Sequence, residues 1–177
     1  MRRSTILPTL LTLAWGPTAG LYAQTQQGVP TWRKYALVKI ANGVNGCANA
    51  NGCWQVNGAL GANAAAGLTQ NVALLAMPAR AHLTDYRIKL ATRCTGAATA
   101  LSGLGTTGTN NLYRALNYNI DQAVSNTAIA TGPPTAGGSD THASTNLVAS
   151  LVTTVQNIDQ LVAGCTVDYW VLWGVLP

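Results

Sequence analysis

Residues 166–175 read Thr-Val-Asp-Tyr-Trp-Val-Leu-Trp-Gly-Val, so that Val167, Tyr169, Val171, Trp173 and Val175 alternate with Thr166, Asp168, Trp170 and Leu172. Successive strand side chains point to opposite faces, and alternation sustained this long belongs to a strand with one buried side. Residues 81–94 repeat the pattern, with Tyr86, Ile88 and Leu90 on one face and Asp85, Arg87, Lys89 and Arg93 on the other. Two such runs require a sheet. Composition closes the helical alternative: only 8% of residues are charged, against roughly 25% in an ordinary domain. There is no Glu, so Glu–Lys pairs cannot support a surface helix. There is also no Phe, which leaves Tyr and Trp to supply the aromatic volume of any core.

Shorter runs extend the pattern. Residues 32–41, 54–56, 70–77, 111–120 and 141–155 read as strands separated by Gly, Asn, Thr and Pro clusters. Residues 101–108 are rich in Gly and Thr and read as a turn, and the prolines and glycines of 131–140 deny a ladder. Residues 59–75 have an Ala-rich, helix-compatible spacing that Gly61 and Gly67 weaken. The expectation is an all-β chain with one antiparallel β-sandwich or jelly roll of about eight strands over residues 24–177, and little helix.

Residues 1–23 start Met-Arg-Arg and continue uncharged through Leu10, Leu11, Leu13 and Trp15 to Leu21-Tyr22-Ala23. This reads as a secretory signal peptide or a hydrophobic N-terminal arm. Pro8, Gly16, Pro17 and Gly20 spoil it as a membrane span, and no other window is long and apolar enough. The four cysteines, Cys47, Cys53, Cys94 and Cys165, allow three pairings. Cys47 and Cys53 bracket a tight Gly/Asn loop that a disulfide can close, at a spacing unlike a zinc knuckle. Cys94 ends one strand run and Cys165 begins another, in phase with the apolar face, so antiparallel neighbours would join them. Paired cysteines and an export signal support one another.

The formal charge of +5 falls to +3 without Arg2 and Arg3. The other cations are scattered from Arg33 to Arg114, which is not the clustered footprint that nucleic acid requires. No Gly-rich phosphate loop, Gly-x-Ser-x-Gly elbow or His-Glu-x-x-His motif is present. Asp121 and Asp168 are the carboxylate pair to place for glycoside hydrolysis, though isolated aspartates belong mostly to turns and edges. His82 is assigned to the face of Tyr86 and Ile88. Asp140, His142 and Ser144, spaced along one segment, cannot form a relay line. No catalytic residue, metal or cofactor is expected. A binding reading remains: Trp32, Trp54, Tyr113, Tyr118, Trp170 and Trp173 offer rings for a sugar-stacking platform. Trp170 points opposite to Tyr169 and Trp173, and with Trp54 and Tyr113 it is expected to face an interface or a sugar-like ligand.

Two stretches are similar to one protein family. Residues 70–90, QNVALLAMPARAHLTDYRIKL, resemble a strand–proline–strand unit, and residues 163–177, AGCTVDYWVLWGVLP, resemble the closing strand of the same proteins. Between them SDTHAST at 139–145 resembles their Ser-His-Ala strand entrance. These proteins are β-sandwich structural components of tailed bacteriophages and prophages, of the head-decoration or minor-virion type. The resemblance implies a non-catalytic virion protein that forms a homo-oligomer, a trimer by the family's architecture, and binds the major capsid protein or other virion proteins. No catalytic residues carry over. The leader and the Cys47–Cys53 loop depart from the family, and a working signal peptide would favour a secreted adhesin or carbohydrate-binding module on the same sandwich.

Overall fold

The computed structural model describes residues 30–109, 111–122, 129–132 and 144–175. The leader, Asp140 and His142 lie outside them. Among the described residues the strands are β1 (Thr31–Ile40), β2 (Cys53–Val56), β3 (Ala59–Asn63), β4 (Thr69–Met77), β5 (Ala81–Thr92), β6 (Ala100–Thr106), β7 (Arg114–Asn119), β8 (Ile129–Gly132), β9 (Thr145–Thr153) and β10 (Thr166–Val175). They form a six-stranded sheet ordered β3-β2-β1-β10-β5-β8 and a four-stranded sheet ordered β4-β9-β6-β7. Every pairing is antiparallel. The only helical element among the described residues is the 3-10 turn Ile158–Gln160. The chain is an all-β sandwich.

The two alternating runs sit side by side. β10 lies between β1 and β5, and its Val167, Tyr169 and Val171 join Leu37, Tyr86, Ile88 and Leu90 in the core. Facing them from the smaller sheet are Val72, Leu74, Leu104, Leu147, Ala149 and Leu151. With no Phe available, the large core rings carry polar ends, and a buried polar end needs a partner. The ends meet that need by bridging the sheets. The Tyr169 and Ser102 hydroxyls hydrogen-bond across the core. Tyr118 Oη accepts from the Leu90 N–H at 3.1 Å, and Trp54 Nε1 donates to Gln70 Oε1 at 3.0 Å. Burial, foremost, raises the phenol pKa of both Tyr169 and Tyr118 above the usual 10.0.

Both disulfides form. Cys94 and Cys165 stand just outside the neighbouring ends of β5 and β10, with Cα atoms 4.5 Å apart, inside the range a disulfide spans. Cys47 and Cys53 close the loop after β1, with Cα atoms 5.8 Å apart, and pack on Ile40. Gly52 in that loop has φ +79°, and a Cβ there would lie 2.4 Å from the Ile40 carbonyl oxygen.

Four expectations are corrected. Thr131 and Gly132, expected in a loop, end β8 and pair with Arg87 and Tyr86 of β5. The helix-compatible stretch 59–75 is strand β3 and most of β4. Asn57 and Gly58, with φ 51° and 84°, make the two-residue turn that folds β3 back on β2. Residues 101–108 are largely β6, an inner strand of the smaller sheet. Gly103 serves close approach rather than a turn, since a Cβ there would lie 2.8 Å from the Arg114 carbonyl oxygen on β7. The register of β5 against β10 slips where Leu172 pairs with Asp85 and Trp173 with Leu83. This bulge reverses the facing, so Ala81 and Leu83 enter the core and half-buried His82 parts from Tyr86 and Ile88.

Candidate functional site on the outer face of the larger sheet

The outward residues of β1, β10 and β5 line up in rows set by strand register. Trp32, Leu172 and Asp85 form one row; Lys34, Trp170 and Arg87 the next; Ala36, Asp168 and Lys89 the third. Trp32 and Trp170 are each 37% exposed, large exposure for rings in mid-sheet. The cations lie on the rings. The Arg87 guanidinium carbon is 4.5 Å from the Trp32 ring centroid, and Lys34 Nζ is 5.6 Å from that of Trp170. Cations over indole faces are held by the ring quadrupole, more firmly where water is excluded.

Lys34 Nζ also lies 2.7 Å from Asp168 Oδ2, in an ion pair whose acid side chain is 10% exposed and whose base is 43% exposed. The second carboxylate oxygen, Asp168 Oδ1, is buried without a hydrogen-bond partner. Arg33, on the other side of β1, stacks 5.5 Å from the centroid of Trp173. The outcome is a mixed-charge surface with two indoles and with Lys34, Arg87 and Lys89 outnumbering Asp85 and Asp168.

Asp121, taken by Arg93 through Nε–Oδ1 at 3.3 Å, follows β7 on the smaller sheet, while Asp168 sits on β10 with Lys34. The pair considered for glycoside hydrolysis is therefore not brought together. Among the described residues no group of three His, Cys, Asp or Glu could hold a metal ion.

Of the three aromatics expected to face a partner, Trp170 lies in this patch. Trp54 and Tyr113 do not: both are fully buried in the core. Trp54 falls on the inner side of β2, and Tyr113 precedes β7 with its N–H donating to the Leu104 carbonyl at 3.0 Å. The residues missed were Lys34 and Arg87, and Trp32 was named only as one ring among six. Their meeting depends on the β1–β10–β5 register.

A second polar cluster lies at the base of the sandwich. Lys39 is almost wholly buried and donates through Nζ to the carbonyl oxygens of Asp159 at 2.6 Å and Leu161 at 2.8 Å. Desolvation lowers its pKa from the usual 10.5, while the Asp159 charge pulls it back up. It borders an open cleft of about 450 Å³ lined also by Asn51, Asp159 and Gln160. With its ammonium committed to two carbonyls, Lys39 ties the 3-10 turn to β1.

No family model matches the chain, and no curated protein matches it. Among solved structures, a chain of the cyanophage Pam1 capsid asymmetric unit is similar in fold, with a TM-score of 0.48 and 12% identity, over 93% of this chain and 99% of that one. A likeness at that level carries no functional weight.

Proposed function

We propose that the chain is a non-catalytic structural protein of a bacteriophage virion, a capsid-decoration protein or minor head or tail component. It binds the major capsid protein or other virion proteins and copies of itself, and resides in the particle. The observation that carries this reading is the patch of Trp32, Trp170, Lys34, Arg87 and Asp168, where the indoles already hold cations and a half-exposed lysine pairs with a largely buried carboxylate. A mid-sheet aromatic surface with paired charges suits burial against another folded surface, where aromatic and Arg anchors carry most of the energy. The resemblance of residues 70–90 and 163–177 to phage sandwich proteins supports the choice of partner.

A second reading has its own observation. Two disulfides favour an oxidising compartment, and exposed indoles beside a carboxylate suit a sugar ring, so a secreted adhesin or carbohydrate-binding module is the alternative. Sedimentation of the purified chain with expanded empty phage heads separates the two. Cosedimentation that is lost in Trp170→Ala supports the virion protein. Indifference to capsids together with binding on a glycan array supports the adhesin.

A further inference from the structure

From Ile40 to Ala79 the chain contains no Asp, Glu, Lys, Arg or His. The fold gathers this uncharged run on one flank: β3 is the edge strand of the larger sheet, β4 is the edge strand of the smaller one, and the two are in contact. β3 is exposed along almost its whole length, with Leu60 52% exposed. The exposed positions of β4 are Thr69, Asn71, Ala73 and Ala76, all small and neutral. Val44 and Leu68, also from the uncharged run, add two more exposed aliphatic side chains. Folded proteins ordinarily guard a free edge with charge, Pro or bulges, because its open N–H and C=O groups will pair with another strand. Here each edge strand has a bulge, but neither has a charge or a proline.

We infer that this flank is a self-association surface, on which β4 of one copy pairs antiparallel with β4 of a second copy across a two-fold axis. The occupant follows from the chemistry. A charged partner, whether acidic protein, nucleic acid or anionic lipid, finds no counter-charge between Ile40 and Ala79. The same flank of a second copy offers matching neutral side chains and the same open backbone groups, and antiparallel pairing of identical strands is what two-fold symmetry generates.

The size is adequate. Nine residues of β4 at about 3.3 Å each run about 30 Å, and two sheets about 10 Å apart with their side chains make a flank roughly 20 Å wide. That is about 600 Å² per copy and about 1,200 Å² per pair, at the lower end of stable protein–protein contacts. A two-fold pair differs from the trimer that the family resemblance implies. It stands apart from capsid docking, which uses the opposite kind of surface, so loss of either activity leaves the other to be measured.

The test is light scattering of the full chain after size exclusion, at low salt and in 1 M NaCl. The expected result is a mass of twice 18.3 kDa that does not change with salt, since no charge takes part. Leu60→Lys with Asn71→Lys should give a monomer, and mixing it with Leu60→Asp/Asn71→Asp should restore the pair, which a misfolded variant could not do. Trp170→Ala should leave the pair intact. A wild-type monomer or trimer, dissociation by salt, or a pair unaffected by the lysine variant would overturn the inference.

Discussion

The outer face of the larger sheet and the β3/β4 flank are built from the same kind of strand and present opposite chemistry. On the face, Lys34, Arg87, Lys89, Asp85 and Asp168 come within three register rows of one another, with Arg87 held by an indole and Lys34 by an indole and a carboxylate. On the flank there is no ionisable group at all between Ile40 and Ala79. The face is a mid-sheet surface whose backbone is already paired, so only its side chains can hold a partner. The flank is made of edge strands with neutral side chains, so in the proposed pair the backbone ladder is what joins two copies. A chain with 8% charged residues places five of them on the face and none on the flank.

The largest disturbance should remove both regions together. Replacing Cys94 and Cys165 by Ala opens a loop with a sequence separation of 71, which costs about 4 kcal/mol in the chain-entropy model. Replacing Cys47 and Cys53, separated by 6, should cost about 2 kcal/mol by the same relation. Urea melts of the two variants should therefore rank in that order, and the reverse order would mean that the loop over Ile40 matters more than the tie between β5 and β10.

Lys39 is the last charge before the bare flank. Lys39→Met leaves the Asp159 and Leu161 carbonyls without their ammonium, and should cost about 3 kcal/mol, since each bond has a charged donor. Amide exchange in residues 158–165 should quicken first. Uniform loosening of the sandwich would show that Lys39 does not act through the 3-10 turn.

A smaller effect tests the floor on which the face rests. Tyr169 and Tyr118 hold their phenols neutral above the usual pKa of 10.0, so the unfolded chain ionises before the folded one. Their contribution is complete below pH 10 and is lost as pH rises beyond it. Thermal melts between pH 8 and 11 should fall more steeply for the wild type than for Tyr169→Phe, which itself costs about 1 kcal/mol at pH 7 by unpairing Ser102. Parallel curves would contradict the assignment.

These comparisons also show where the sequence was legible. β10 was read with its observed bounds and β5 with only its last two residues over-extended, because period-two alternation reports one buried face directly. Cys94 and Cys165 followed from the same phase. β6 was lost because its glycines read as turn residues when Gly103 is a spacer for β7, a tertiary cause that leaves no local mark. The β2–β3 hairpin did leave one, Asn57-Gly58, beneath an Ala-rich pattern that suggested helix. Within the site, Trp170 was placed by alternation, whereas Trp32 and Arg87 required the register. Trp54 and Tyr113 were misplaced because a chain without Phe fills its core with the same rings it would show a ligand. The bare flank was in plain view as an uncharged run, but only the sheet order makes it an edge.

The most direct measurement is cosedimentation with expanded empty phage heads, using the wild type, Trp170→Ala and the Leu60→Lys/Asn71→Lys variant at equal concentration. Trp170→Ala gives up the Lys34 cation–π contact and should cost about 1 kcal/mol. The exposed lysine changes should cost about 0.5 kcal/mol each, so a thermal melt of each variant run beside the pelleting separates binding from folding. The account expects the wild type to pellet with heads, Trp170→Ala to stay in the supernatant while remaining paired, and the lysine variant to pellet as a monomer with weaker retention. A wild-type chain that never pellets with heads, or a Trp170→Ala variant that pellets as fully as the wild type, would contradict it.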